Sequence, residues 1–170
     1  MVQSKLHRVL AVLVFVSSAL FATEVLGQTN DEAALRDVLL RSASSFAKND
    51  LAEARKVWAT DESLTIFESG HANYGWADYR DNHLVPEMGE MKNTKYGFSD
   101  IRIHLAGKTA WATFKYSIEA DVKENGKPRH VDGAGLGTAI LEKRTDGWRI
   151  VHWHSSAPRR APAAAPVKKP

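Results

Sequence analysis

The sequence has no cysteine among its 170 residues. This absence excludes disulfide bonds, thiolate nucleophiles and cysteine-ligated zinc or iron–sulfur centres. It is compatible with an oxidising compartment, where a stray thiol is a liability. The stability of the fold must therefore come from apolar burial, and the 44% hydrophobic and 25% charged content is ordinary for a soluble globular domain.

The sequence also lacks an apolar run long enough for a comfortable membrane span. The apolar segment at 9–22 is shorter than the roughly 20 residues that a spanning helix needs. It follows a basic start, MVQSKLHR, and precedes small residues, which is the pattern of a secretory signal peptide. We predict a signal peptide over 1–27, with cleavage after Gly27 or, as second choice, Ala22; an uncleaved anchor is the alternative. The expected location is periplasmic or secreted, with no stable membrane anchor after cleavage.

Little net charge belongs to the predicted domain, although the whole chain carries +3. The segment 1–27 contributes +1 and the segment 157–170 contributes +4, which leaves −2 for residues 28–156. No basic stripe with interleaved aromatic residues is present, so we expect no nucleic-acid partner. The segment 157–170 contains four prolines and is predicted to be a disordered basic Pro/Ala tail.

Hydrophobic periodicity predicts helices followed by strands. Helices are expected at 30–48, at 51–59 with Asp50 as its N-cap, and at 75–87, where Pro86 should end or bend the helix. A strand is expected at 63–68, and period-two patterns predict four more at 96–105, 109–122, 129–142 and 148–156. This order of helix, helix, strand, helix and four strands indicates one α+β domain over 28–156, with helices on one face of a curved antiparallel sheet.

Several segments resemble one known superfamily. They are LTIFE at 64–68, IHLAG at 103–107, GKPR at 126–129 and above all DGWRIVHWHSSAP at 146–158. Over about 31–158 the chain resembles the nuclear-transport-factor-two-like superfamily, in particular SnoaL-like domains. It is similar to the association domain of calcium/calmodulin-dependent protein kinase II and its stand-alone bacterial relatives. The resemblance implies a cone-shaped fold with a pocket between the helices and the concave sheet face, and homodimers or higher oligomers packed through the sheet.

The resemblance leaves the activity open, because the superfamily includes isomerases, dehydratases, cyclases and binding modules. Kinase activity is not expected, since the sequence has no phosphate loop or kinase motif. The chemistry must be sought in individual side chains.

Two histidines near the C-terminus of the domain, His152 and His154, are two residues apart on a predicted strand and so share a face. Strict alternation places Trp148 and Ile150 on that face, and Arg149, Val151 and Trp153 on the other. The two imidazoles can bind a metal or move protons, or they can make hydrogen bonds across a sheet or dimer interface. Alternation does not say which face is the pocket.

A second candidate pair is His83 and Glu87, which lie four residues apart on one face of a helix. Facing His152 or His154, they would form a divalent metal site with nitrogen and oxygen ligands, or a base–acid pair; the alternative is an exposed helix end. His130 and Asp132 share a strand face, at a pocket rim or without a role. An isomerase-like site would need an acid, Asp132 or Glu119, beside a phenol, Tyr79 or Tyr96.

Aromatic residues cluster around the predicted helices and can line a pocket or belong to the core. They are Trp58, Tyr74, Trp76, Tyr79 and Tyr96. Three glycines alternate along one strand, at 133, 135 and 137, which is typical of sheet curvature.

The sequence thus predicts an exported, homodimeric protein that binds a small molecule, without established catalysis. The alternatives are a lyase, isomerase or hydrolase with a histidine as general base, and histidine-based metal binding or assembly. Catalytic candidates are His83, Asp132, His152 and His154. Ligand-binding candidates are Trp58, Tyr74, Trp76, Tyr79, His83, Glu87, Tyr96, His152 and His154. Metal candidates are His83, Glu87, His152 and His154; no cofactor is expected, although a divalent metal fits.

Overall fold

The computed structural model describes residues 30–124 and 126–158. Helix α1 occupies 30–47 of this part. The elements that follow are α2 (Leu51–Val57), β1 (Thr65–Glu68), β2 (His71–Tyr74), α3 (Trp76–Tyr79), a π-helical turn (Arg80–Leu84), α4 (Val85–Glu90), β3 (Lys92–Ala106), β4 (Thr109–Glu124), β5 (Lys127–Arg144) and β6 (Gly147–Ser156). The predicted signal peptide and the tail beyond Pro158 lie outside the described residues. Within the described ranges, no helix is long and apolar enough to cross a membrane.

Polar side chains fix the first turns of the first two helices, by capping a backbone N–H group or by bonding to the sheet. Asp50 caps α2, because its carboxylate accepts a hydrogen bond from the Glu53 N–H at 2.9 Å; this prediction is confirmed. Near the start of α1, Asp31 accepts hydrogen bonds from Lys143 Nζ at 2.6 Å and from Trp148 Nε1 at 3.1 Å. The Lys143 hydrogen bond lowers the pKa of Asp31 and ties the first helix to the sheet.

The third helical segment runs further than predicted, because Pro86 does not end it. The chain widens into the π-helical turn Arg80–Leu84 just before the proline, and the Val85 N–H bonds to the Arg80 carbonyl. A proline ring clashes with the carbonyl four residues earlier in a regular α-helix, and a widened turn relieves that crowding. The segment therefore continues as α4 to Glu90, which keeps His83 and Glu87 on one continuous helical segment.

The sheet has the strand order β2-β1-β6-β5-β4-β3. Strands β1 and β6 pair in parallel, and the other neighbours are antiparallel. The α+β fold is confirmed, with a mixed rather than purely antiparallel sheet. Strand β2 was not predicted; it forms because Ser69 (φ 53°) and Gly70 (φ 83°) both adopt the left-handed conformation of a two-residue hairpin turn.

A bulge in β6 changes which residues face the helices. Ile140 pairs with His152 and Leu141 pairs with Ile150, which leaves Val151 between them as an extra residue. The bulge shifts the alternation by one, so Trp153 joins Trp148 and Ile150 in the core. The predicted grouping of the two histidines with Trp148 and Ile150 is therefore wrong.

The helices cover the inner, concave face of the sheet, where the core lies. Leu35 and Leu39 of α1 pack there with Ile66, Leu141 and Ile150, all essentially inaccessible to solvent. Aromatic rings of β4 lie over glycines of β5: Phe114 pairs with Gly137, and Tyr116 with Gly135. These glycines leave room on the inner face that a side chain would fill.

Candidate functional site

A cavity of about 200 Å³ opens between the inner face of the sheet and the helices. Every layer of the domain contributes to its wall. The lining residues are Ser42, Ser45 and Phe46 of α1, Trp58, Glu68 of β1, Tyr79, Leu84, Glu87, Met91, Tyr96 of β3, Tyr116 and Ile118 of β4, and Trp153 of β6. Aromatic residues are thus the largest group in the lining, and two carboxyl groups are its charged members.

The aromatic walls form a connected set of rings. The Trp58 ring lies 5.3 Å from Tyr79 and 5.5 Å from Trp153, measured between centroids. On the other side, the Tyr96 ring lies 5.4 Å from Phe46 and 6.1 Å from Tyr116. These tilted and edge-to-face contacts fall in the favourable range for aromatic pairs. The walls are therefore held in place by one another before any ligand binds.

Three phenol groups belong to this wall. Tyr79 is only 7% exposed, and within the described part of the chain its hydroxyl has no hydrogen-bond partner. Burial raises the pKa of Tyr79 and of Tyr96 well above the ordinary value, and burial also raises the pKa of Tyr116. All three side chains are therefore neutral phenols at physiological pH and can donate or accept a hydrogen bond.

An acidic cluster lies at one side of the cavity. Glu68 ends β1, and Glu87 lies on α4. His83 stands behind them on the π-helical turn, with its Nε2 atom 3.4 Å from Glu87 Oε1 and 3.7 Å from Glu68 Oε2. The helical spacing of His83 and Glu87 and the turn at the end of β1 thus bring two carboxylates to one imidazole.

The other ring nitrogen of His83 is fixed by a polar chain. His83 Nδ1 lies 2.8 Å from Asn73 Oδ1, and the Asn73 amide nitrogen donates to Asp78 Oδ2 at 3.3 Å. Because the Asn73 amide gives its N–H to Asp78, its carbonyl oxygen is left to accept from His83. Nδ1 therefore carries a hydrogen, an assignment that follows from the network. Asp78 also accepts from the Tyr74 N–H at 2.9 Å.

This orientation requires one more proton within the cluster. With a hydrogen on Nδ1, neutral His83 would turn the lone pair of Nε2 toward two carboxylates. Either His83 is the imidazolium, or a carboxyl group is protonated and donates to Nε2. The hydrogen bond with Glu87 raises the pKa of His83, and burial raises the pKa of Glu68 although a hydrogen bond from Ser155 opposes the shift. The cluster is therefore built to hold a proton next to the cavity.

The structure brings five of the sequence-predicted residues together. Trp58, Tyr79, Tyr96 and Glu87 line the cavity, and His83 contacts its carboxylates. Two other aromatic candidates lie elsewhere. Tyr74 is exposed, and Trp76 is buried in the core beside Tyr79; within the described residues the Trp76 Nε1 atom has no hydrogen-bond partner.

The remaining candidates lie on the outer face of the sheet. His152 is half-buried there and pairs with Thr65 Oγ1 at 2.7 Å, while His154 is exposed. Neither therefore faces His83. Across residues 30–124 and 126–158, no group of three or more histidine, aspartate or glutamate side chains is arranged to hold a metal ion.

The two acids considered for an isomerase-like pair are also on the outer face. Asp132 pairs across the strands with Glu119, next to the cavity-lining Ile118 but pointing the opposite way. Glu119 binds Lys95 Nζ at 2.8 Å, so neither acid meets Tyr79 or Tyr96. His130 contacts Asp121 at 2.9 Å rather than Asp132.

Sequence reasoning missed Glu68, Asn73 and Tyr116. Glu68 had a usable signal, because it continues the buried face that Leu64 and Ile66 define by alternation. A carboxylate at an apolar-face position is unusual unless it has a partner. Asn73 had no such signal, since it lies on the strand that the sequence did not predict.

Comparison with known proteins supports the fold. The family model described as the SnoaL-like domain matches residues 35–160. A comparison with curated proteins finds no match.

Solved structures share the fold at low identity. A nuclear transport factor 2 (NTF2-like) superfamily protein from Salmonella enterica is 23% identical with a TM-score of 0.66, covering 84% of this chain and 97% of that one. A proposed dehydratase of the NTF2-like family from Streptomyces avermitilis is 13% identical with a TM-score of 0.67, covering 76% and 97%. The calcium/calmodulin-dependent protein kinase II hub of S. rosetta is 18% identical with a TM-score of 0.58, covering 74% and 95%.

Proposed function

Because this chain belongs to the SnoaL-like domain family and has the NTF2-like cone fold, we propose that it binds a small organic molecule in its inner cavity. The observation that supports this most is the combination of an aromatic wall with two carboxylates in one enclosed space. Ligand sites are concave and combine apolar walls with polar groups that orient the ligand, and this cavity offers six aromatic side chains beside two carboxylates. Its volume of about 200 Å³ exceeds the about 150 Å³ of an engineered apolar cavity that holds benzene.

The first test is native mass spectrometry of residues 28–170, purified without a histidine tag. Extra mass on the protein would give the class of a co-purified ligand. A metabolite screen by thermal shift would follow, because a ligand that binds the folded state raises the melting temperature. Failure of a broad screen to give any hit would count against binding.

A matched pair of variants locates the site. Ile118→Trp fills the cavity from β4, whereas Ser117→Trp adds the same side chain to the outer face one residue earlier. A ligand should raise the melting temperature of Ser117→Trp as it does for the wild type, but not that of Ile118→Trp. An equal rise in both variants would place the ligand outside the cavity.

A second candidate function is proton transfer on a bound ligand, of the isomerase or lyase kind. The cluster of Glu68, His83 and Glu87 favours it, since a carboxyl group whose pKa is raised by burial is a better base near neutral pH than an ordinary one. Glu68 is the proposed general base, since it lines the cavity directly. His83 contacts both carboxylates without lining the cavity, and would hold and return the proton.

Exchange of solvent deuterium into small cyclic ketones, followed by NMR, tests this activity. The wild type should accelerate exchange next to the carbonyl, and Glu68→Gln should lose most of the acceleration. Glu90→Gln, on the same helix as Glu87 but outside the cavity, is the control. Exchange no faster than in buffer, or equal in wild type and Glu68→Gln, would refute the enzymatic candidate.

We also propose a homodimer formed through the outer sheet face. Three large exposed apolar side chains lie on that face: Phe67 on β1, Trp111 on β4 and Leu136 on β5. Exposed apolar surface on one face is typical of a protein–protein interface. Light scattering should give a dimer mass for the wild type and for Lys48→Glu at the helical side, and a monomer mass for Trp111→Lys. A monomeric wild type would refute this arrangement.

Export is the remaining proposal, and it depends on the basic start and apolar run of 1–27. Fractionation of a bacterial host that expresses the full chain should place the protein in the periplasm or medium. Its intact mass should correspond to a chain beginning at Gln28. A cytoplasmic protein that retains the N-terminal segment would contradict both the signal peptide and its cleavage site.

A further inference from the structure

The charges around the cavity are of one sign. Its lining includes the carboxyl groups of Glu68 and Glu87 and, among the residues that the structure describes, no lysine or arginine. Within residues 30–124 and 126–158, the one basic group in contact with these carboxylates is His83, which is mostly buried behind them. An anionic ligand would therefore meet two acids with no cation lining the cavity to receive it.

The proton held in the cluster does not cancel this charge. Two glutamates and one histidine that share a single extra proton carry a net charge of −1. This sum is the same whether the proton resides on His83 Nε2 or on Glu68. In a cavity with restricted water, a net charge of this kind interacts strongly with a ligand charge because the local dielectric is low.

The walls are also suited to a cation. The rings of Trp58, Tyr79, Tyr96 and Trp153 line the same space as the carboxylates. Aromatic faces attract ammonium groups through the ring quadrupole, and the attraction grows when the cation is desolvated. The Tyr79 side chain, which is only 7% exposed and lines the cavity, adds a hydroxyl oxygen that can accept an ammonium hydrogen.

We infer that the ligand of this cavity is a small organic cation, an amine that carries an apolar ring or branched group. The ammonium group lies against Glu68 and Glu87, and the apolar part packs among the aromatic walls. This inference rests on the proposed binding function and adds the charge of the ligand to it. Carboxylates, phosphates and sulfates are correspondingly rejected.

Three probes of similar shape separate charge from shape: benzylamine, benzyl alcohol and benzoate. Calorimetry at neutral pH with the wild-type protein should give the tightest binding for benzylamine, about tenfold tighter than benzyl alcohol. Benzoate should give no measurable binding at the same concentrations. Binding of benzyl alcohol or benzoate as tight as that of benzylamine would overturn the inference while leaving cavity binding intact.

Two carboxamide variants test the source of the selectivity. Glu68→Gln and Glu87→Gln should each bind benzylamine severalfold more weakly, while their affinity for benzyl alcohol stays unchanged. Glu90→Gln, an exposed position on α4 outside the cavity, should retain the full preference. A preference retained in both cavity variants would overturn the inference. Failure of all three probes to bind the wild type would count against cavity binding itself, and so against both proposals.

Discussion

The two faces of the sheet carry similar residue types, but the surroundings of those residues differ. The inner face presents Trp153 and Tyr116 to a cavity closed by helices, with His83 held between two carboxylates. The outer face presents Phe67 and Trp111, and His152 lies there beside Thr65 and His154. Aromatic rings and histidines occur on both sides. Enclosure by the helices separates them.

The difference shows that the neighbours of a histidine decide what it can do. The Glu87 hydrogen bond raises the pKa of His83. Burial lowers the pKa of His152, and the neighbouring His154 lowers it further. The outer histidines are easy to recognise in the sequence because they are only two residues apart. The partners of His83, in contrast, come from β1, β2 and α4. A functional cluster of this kind is assembled by the fold, not by local spacing.

The largest expected effect compares one tryptophan from each face. Trp153→Ala should lower the free energy of unfolding by about 3–5 kcal/mol, because it removes a buried ring and leaves a cavity. Trp111→Ala should cost the monomer about 1 kcal/mol or less, since its side chain is 44% exposed and stacks on the ring of His104. Urea unfolding measures both values at one protein concentration. Similar losses in the two variants would mean that the outer face is as well packed as the inner one.

A smaller effect on the free energy of unfolding is expected from substitutions at two glycines of β5, where an added side chain would point to the inner face. A Cβ atom on Gly137 would fall on the Phe114 ring, whereas one on Gly133 would meet only the Ile118 Cγ2 atom, at 3.4 Å. Gly137→Ala should therefore cost about 1–3 kcal/mol through overpacking. Gly133→Ala should be neutral or stabilising by up to about 1 kcal/mol, because alanine restricts the unfolded chain.

Thermal or urea unfolding of the two glycine variants decides between two roles for these residues. If both substitutions are equally costly, the glycines are needed for the curvature of the strand rather than for the space that Phe114 occupies. If neither has an effect, the Phe114 ring can move away from the sheet.

His83 and His152 should also differ in pKa, with shifts in opposite directions from the ordinary value. NMR of the imidazole nitrogens should place the pKa of His83 above the ordinary value of 6.5 and that of His152 below it. Because the folded pKa of His83 is raised, its contribution to stability is complete below about pH 6.5 and is lost as the pH rises through the folded value. Glu87→Gln should reduce that pH dependence and lower the pKa of His83 while His152 stays unchanged. An equal shift of both histidines would indicate a global change instead.

Much of the fold could be predicted from the sequence, since local patterns carry it. The Asp50 cap and the strand alternation of β4 and β5 are encoded within a few residues. The bulge at Val151, the extension of the helix past Pro86 and strand β2 were not predicted. The bulge depends on pairing with β5, which is distant in sequence. The helix extension and β2 depend on local backbone geometry that hydrophobic periodicity does not report: a π-helical turn before Pro86 and a two-residue turn at Ser69 and Gly70.

The candidate site was predictable only in part. Helical spacing indicated the His83–Glu87 pair, and aromatic residues near the helix openings pointed to Trp58, Tyr79 and Tyr96. The sequence could not show that Glu68 completes the cluster, because that contact joins the end of β1 to a helix later in the chain. The face of His152 and His154 depended on a single extra residue in β6, which alternation alone cannot reveal.

The smallest expected effect concerns two leucines of β5 that lie on opposite faces. Leu141 is fully buried in the core, whereas Leu136 is 61% exposed. Leu136→Thr should change the free energy of unfolding of the monomer by no more than about 0.5 kcal/mol, yet weaken self-association if the outer face forms the dimer. Leu141→Thr should cost at least about 2 kcal/mol, because it buries a hydroxyl in the core and removes apolar volume. Unfolding at several protein concentrations separates the two contributions, since only dimer stability depends on concentration. A loss in Leu136→Thr that persists at the lowest concentration would show that this side chain stabilises the monomer itself.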